Sequence, residues 1–320
     1  MNFLTVDQLR DYATANPIDY LVEGILKEGT FNLASGEAKS GKSTLVRHLA
    51  SCVTKGEPFL GKPTKQGRVL FACPDETDST ELARAFDTLG VKDGLLISPN
   101  PVDKSRFSAD LGEWLVKLPD TKLVVLDTLA KTVEFEDLNS YEKVVRDFSP
   151  IQDLARETGV TILALHHTNK GNGNSIAASI MGSGGIASLA ATILEVSNSN
   201  GRRYLRSLQR YGTEIERAEL YLDKETGVLS LGRTASEVRE AGRVTRADEL
   251  ETKIIRYIAS TKNATRKDVR VAVKTNTQKV NRVLDSLTER KLVVCTGTGK
   301  NSDPHTFSPG EPPTEEQVAA

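Results

Sequence analysis

Nowhere in the 320 residues does an apolar run approach the roughly 18–20 that a membrane-spanning helix needs. That absence argues against an integral helical membrane protein. Cysteine is scarce: Cys52, Cys73 and Cys295 form no CxxC pair and no metal-ligand spacing, so neither a disulfide framework nor a zinc module is expected. The opening Met-Asn-Phe-Leu-Thr-Val-Asp-Gln lacks the basic-then-apolar pattern of a signal peptide, and a cytoplasmic location is expected. No internal repeat is found. What remains is the composition of an ordinary soluble protein, 38% hydrophobic and 27% charged, with length enough for two domains.

A net charge of −1 hides an asymmetry. Residues 246–300 carry 13 Lys/Arg against six Asp/Glu, a surplus of seven, so the rest of the chain sums to −8. A basic module joined to an acidic one points to nucleic acid as the module's partner.

The most specific motif is Gly36-Glu37-Ala38-Lys39-Ser40-Gly41-Lys42-Ser43, of the form GxxxxGKS. An apolar stretch, 29–35, precedes it, and Thr44-Leu45-Val46-Arg47-His48-Leu49-Ala50 follows with helical spacing. Strand, glycine turn and helix start are the context in which such a loop binds phosphates. The glycines let backbone N–H groups turn inward, and the helix dipole adds its field. Residues Gly36 to Thr44 are therefore the expected cradle for ATP, with Lys42 on the β/γ-phosphates and the Ser43 hydroxyl on Mg²⁺.

Around the loop the chain alternates strands and helices from Phe31 to about Leu231. Strands are expected at 68–73, 123–127, 161–166, 191–196 and 204–208, and helices at 6–15, 80–89 and 141–158. Short apolar strands separated by helices predict a parallel sheet covered on both faces. The strand Lys122-Leu123-Val124-Val125-Leu126 ends in Asp127, 85 residues past Lys42. A carboxylate there is suited to hold Mg²⁺. A second strand runs into Pro74-Asp75-Glu76, candidates for orienting or deprotonating the attacking water; Glu76 is the first choice and Asp75 the reserve. A third ends in His166-His167-Thr168-Asn169-Lys170, near where a γ-phosphate would lie. The Gly/Ser/Asn-rich stretch 171–185 predicts a long functional loop. Arg206 and Arg210, four apart, share a strand face if the strand is regular, and an arginine offered to a neighbouring subunit's γ-phosphate stabilises the transition state.

These residues resemble the RecA-like ATPases, most closely the group that includes the plasmid RepA hexameric replicative helicases. The resemblance runs from about Asp19 to Leu231 and rests on GEAKSGKSTL, VLFACPDET, ARAFDTLG, VVLDTLAKT, ARETGVTILALHHTNKG and QRYG. It implies a RecA-like α/β core and ATP hydrolysis at the subunit interfaces of a ring. By the same resemblance Glu76 activates water, His167 senses the γ-phosphate, and Arg206 or Arg210 acts in trans. The stretch from Lys170 to Gly185 would face single-stranded DNA in a central pore, without an aromatic side chain for base stacking.

Past the core, residues 232–249 read as a polar linker, 250–307 as a second domain and 308–320 as a disordered tail. The second domain offers a helix over 250–260, then Thr265 and Asp268 as a capping box for a helix over 266–274. Thr275 and Gln278 suggest the same device for a helix reaching about Arg290, with Val280, Val283, Leu284 and Leu287 on its apolar face. Thr277, Gln278, Lys279, Asn281 and Arg282 lie opposite, suited to phosphates and base edges. A hairpin over 292–307 contains Lys300. Three helices and a hairpin resemble a winged helix-turn-helix, whose third helix commonly enters the major groove of duplex DNA. The expected whole is a hexameric, ATP-driven DNA translocase or replicative helicase. An ATP-switched DNA-binding regulator and a recombination-type filament are the alternatives.

Overall fold

The computed structural model describes residues 3–74, 79–168, 175–180, 184–300 and 302–310. Two compact units divide the chain at Ala235/Ser236. The first begins with α1 (Val6–Ala15), closed at its N-terminus by a capping box between Thr5 and Gln8. Then come β1 (Tyr20–Val22), β2 (Leu26–Lys27), β3 (Phe31–Gly36), α2 (Lys42–Lys55), β4 (Arg68–Ala72), α3 (Ser79–Thr88), β5 (Leu95–Ser98) and α4 (Phe107–Lys117). They are followed by β6 (Thr121–Leu126), α5 (Leu129–Thr132), α6 (Tyr141–Thr158), β7 (Thr161–His167), α7 (Ile176–Ser179) and α8 (Gly184–Leu189). The unit closes with β8 (Thr192–Ser199), β9 (Arg202–Gln209), β10 (Ala218–Leu222) and β11 (Leu229–Thr234).

Nine strands form one sheet in the order β11-β10-β9-β8-β3-β7-β6-β4-β5. From β8 to β5 all neighbours are parallel; β9, β10 and β11 are added antiparallel. The mostly parallel α/β core with both faces covered is therefore as expected, and the antiparallel extension is new. One face packs against α2 and α3 through Leu45, Leu49, Phe71 and Phe86. The other packs against α4, α6 and α8, with Phe31 and Phe148 centroids 4.3 Å apart. Burying each such side chain contributes about 1.5–3 kcal/mol, so these two layers fix where the strand ends lie.

The second unit holds most of α9 (Ala235–Ser260), then β12 (Ala264–Thr265), α10 (Arg266–Val273), α11 (Thr277–Glu289), β13 (Val293–Thr296) and β14 (Thr306–Pro309). Its sheet is antiparallel in the order β12-β14-β13. Ile254, Ile258, Val269, Val280, Leu284, Leu287 and Phe307 form its core.

Three expectations need correction. Residues 232–249, read as linker, are regular structure: 232–234 complete β11, and 235–249 form the first part of α9, where a stretch rich in Ala, Glu and Arg without proline lets helix propensity prevail over the missing apolar pattern. Asn276, not Thr275, caps α11, accepting from the Lys279 N–H at 2.9 Å. Within the expected loop 171–185, the described residues include α7, and α8 starts at Gly184; Ile176, Ile180 and Ile186 are buried. Apolar residues hidden among small ones explain that difference. No helix among the described residues is long and apolar enough to cross a membrane.

Candidate functional site

The site forms where β3 gives way to α2. β3 is buried along its whole length, so the chain emerges at the carboxyl edge of the sheet in one fixed position. Parallel pairing puts Ser35 opposite His166 and Gly36 opposite His167, while β6 delivers Asp127 two strands away. The Asp127 N–H is held by the Ala72 carbonyl at 2.8 Å, which ties this acid to the end of β4.

Gly36 is required by space. A Cβ there would run into the Val196 carbonyl oxygen and stand 2.7 Å from Ser40 Oγ, at a φ of 155°. Gly41 is the N-cap of α2 with a φ of 109°, and no side chain caps the helix. The first-turn N–H groups are therefore left for an external acceptor, the arrangement that binds anions. Ser40 is buried and its Oγ has no partner, a second sign that the loop is built around a guest.

Lys42 is 6% exposed and donates to the carbonyls of Gly36 and Glu37 at 2.9 and 2.8 Å. Burial pushes its ammonium below the usual lysine range, while the Asp127 carboxylate pulls it back up. His167 is exposed at the edge; burial of its ring, and then Lys42, hold it below the usual histidine range and favour the neutral form. Lys42 is thus coupled electrostatically to Asp127 on one side and to His167 on the other. Glu37, Ala38 and Lys39 are exposed, and Ser43 and Thr44 half-buried, along the rim of the same cradle. The donor set fits a triphosphate with a hard cation: amide donors, an ammonium, a hydroxyl and one carboxylate. Among the described residues no three His, Cys, Asp or Glu side chains cluster as a metal site.

Residues 1–173 match the model of a protein family described as AAA domain. The chain belongs to this family. The AAA domain is a nucleotide-hydrolysing P-loop ATPase, and the match spans the phosphate loop, Asp127 and His167. The antiparallel strands β9 to β11 lie beyond the matched residues.

Other expected site residues fall elsewhere. Asp75, Glu76 and Lys170 lie outside the described residues. Arg206 forms an ion pair with Glu195 across the β8–β9 register, and Glu195 is buried. Arg210, just past the end of β9, donates to the Ser188 carbonyl and is exposed. In the second unit Thr277, Gln278, Lys279, Arg282 and Lys300 are exposed, whereas Asn281 is half-buried. Helical spacing explains this: Gln278 and Arg282 stand opposite Val280 and Leu284, while Asn281 stands at the flank of the apolar face. Sequence reasoning passed over Arg203, whose side chain lies against Gly41. Its alternation with Leu205 along β9 is the signal that carries it to the α2 face.

Proposed function

We propose that the protein is a ring-forming, ATP-driven DNA translocase serving as a replicative helicase, with the second unit acting as a winged helix on duplex DNA. The observation that carries this reading is the union in one chain of an AAA domain with a basic three-helix unit closed by a small antiparallel sheet. The exposed Gln278, Lys279 and Arg282 of α11 suit phosphates and base edges. Assembly is supported by α1, which has no buried residue, and by the residues just before it: Phe3, Leu4, Val6, Leu9 and Tyr12 are exposed, an apolar surface of the kind that subunit contacts cover.

In this reading the loop amides and Lys42 bind the β- and γ-phosphates and hold the reacting group in line. Mg²⁺, held by Ser43 and Asp127, would supply charge neutralisation between the phosphate oxygens. Glu76, with Asp75 in reserve, orients the water, and neutral His167 donates to the γ-phosphate and responds to its loss. Arg210 is the better trans arginine. It is anchored to a main-chain carbonyl, whereas withdrawing Arg206 would break an ion pair to a buried carboxylate. Lys170 would follow single-stranded DNA in the pore.

The test is displacement of a labelled strand from a forked duplex with Mg·ATP, with the hexameric state checked by sedimentation. ATP-dependent displacement supports the helicase. Nucleotide-dependent duplex binding without displacement would favour the regulator, a reading to which the basic second unit also lends itself.

A further inference from the structure

Arginines crowd the β8–β9 region, and all but one are engaged. Arg202 pairs with Glu219 at 3.6 Å, Arg206 with Glu195, Arg210 with the Ser188 carbonyl, and Arg217 lies 3.5 Å over the Tyr204 ring. No side-chain hydrogen bond or ion pair joins the Arg203 guanidinium to a described residue. It sits in β9 opposite Asn198 and shares a strand face with Leu205, which is buried in the core layer beneath α2. From there it reaches the phosphate loop: a Cβ placed on Gly41 would stand 3.2 Å from its Cδ and Nε and 3.5 Å from its Cζ. A guanidinium is thereby held against Gly41, the N-cap of a 14-residue helix that no side chain caps and whose first residue is the buried Lys42.

Without a ligand this arrangement is unfavourable. A cation at a helix N-terminus opposes the dipole. An anion in the loop removes that penalty, and Ser40 of the same loop, buried with its Oγ unpartnered among the described residues, marks the loop as built for an acceptor-rich guest. We propose that Arg203 is a phosphate-binding residue supplied in cis, donating to the polyphosphate of the nucleotide held on Gly36–Ser43. The inference deepens the nucleotide reading and rests on it. It differs from the trans role of Arg210, since Arg203 belongs to the subunit whose loop it touches. The absence of a side chain at Gly41 acquires a second reason, because any Cβ would press on this arginine.

The experiment is calorimetric titration of the full chain with Mg·ADP, Mg·ATPγS and inorganic tripolyphosphate, comparing wild type, Arg203→Gln and Arg203→Lys. Loss of a charge-assisted hydrogen bond weakens all three ligands roughly ten- to hundredfold in Arg203→Gln, with partial recovery in Arg203→Lys. The melting temperature of Arg203→Gln without ligand stays at or above the wild-type value, which a merely structural role would lower. Unchanged affinity of Arg203→Gln for all three overturns the proposal. So does weakened ADP with unchanged tripolyphosphate, since the contact is then to base or ribose. If wild type itself binds none of the three, the nucleotide reading fails and takes this proposal with it, an outcome distinct from the other two.

Discussion

Replacing Lys42 with Ala separates what the lysine does for the fold from what it does for the ligand. In the ligand-free protein its ammonium makes two hydrogen bonds to carbonyls, worth about 1.5–3 kcal/mol each for a charged donor. Against this stands the cost of burying the charge, several kcal/mol, visible in the downward shift of its titration. The two nearly cancel, so Lys42→Ala should change ligand-free stability by only about 1 kcal/mol, or roughly 2–4 °C in a unit of this size. Its effect on a bound nucleotide is larger, because two charge-assisted contacts to phosphate are lost, about 3 kcal/mol or a hundredfold in affinity. At Mg·ATPγS about 100 times the wild-type Kd, the wild type gains about 2.7 kcal/mol, a shift of roughly 5–11 °C. At the same concentration the variant sits near its own Kd and gains about 0.4 kcal/mol, a shift of roughly 1 °C. Differential scanning calorimetry with and without Mg·ATPγS reads both quantities. A variant that keeps the wild-type ligand shift, or that loses more than about 4 kcal/mol without ligand, refutes this account of the loop.

Gly36→Ala should abolish detectable nucleotide binding by calorimetry, since the added methyl meets the Val196 carbonyl and Ser40 Oγ; retained affinity would mean that β8 yields easily. Leu284→Ala, in the core of the second unit, should cost about 2–5 kcal/mol and abolish duplex binding in a filter assay while basal ATP hydrolysis persists. Loss of hydrolysis would contradict the division into two units. His48 should make stability depend on acid. Burial, and then Lys55, lower its pKa from 6.5 to about 4, so above pH 6.5 it is neutral in both states and contributes no slope. Below that, the unfolded chain takes up a proton that the folded chain refuses until about pH 4, and stability falls across this window by about 2 kcal/mol after allowance for solvent screening. Urea unfolding of His48→Phe between pH 7 and pH 4 should lack this component; an unchanged slope would refute it.

The parts of the fold that were legible in the sequence are those whose signals are local. The capping pairs and apolar spacing of α1, α6 and α10 mark their starts, and the GxxxxGKS loop with Asp127 at a strand end marks the site. The antiparallel extension was less visible because β10 and β11 are short and only partly buried. Its one sharp signal, Asn200-Gly201 with both residues at positive φ, is the turn that folds β9 back on β8. Arg206 and Arg203 show the limit more clearly. Their three-residue spacing puts them on opposite faces of β9, and only the register with β8 reveals that one meets Glu195 while the other meets the phosphate loop. The first part of α9 was hidden for a related reason, since a polar helical stretch without an apolar stripe reads as linker, whereas 250–260 with its apolar face reads as helix.

The central claim is that ATP turnover drives movement along DNA. Steady-state ATP hydrolysis by the pure full chain, measured alone, with single-stranded DNA and with duplex, tests it most directly. The account predicts strong stimulation by single strands, at least tenfold, abolished by Lys42→Ala. Slow turnover indifferent to single strands, together with tight duplex binding, would contradict the translocase and leave an ATP-switched regulator.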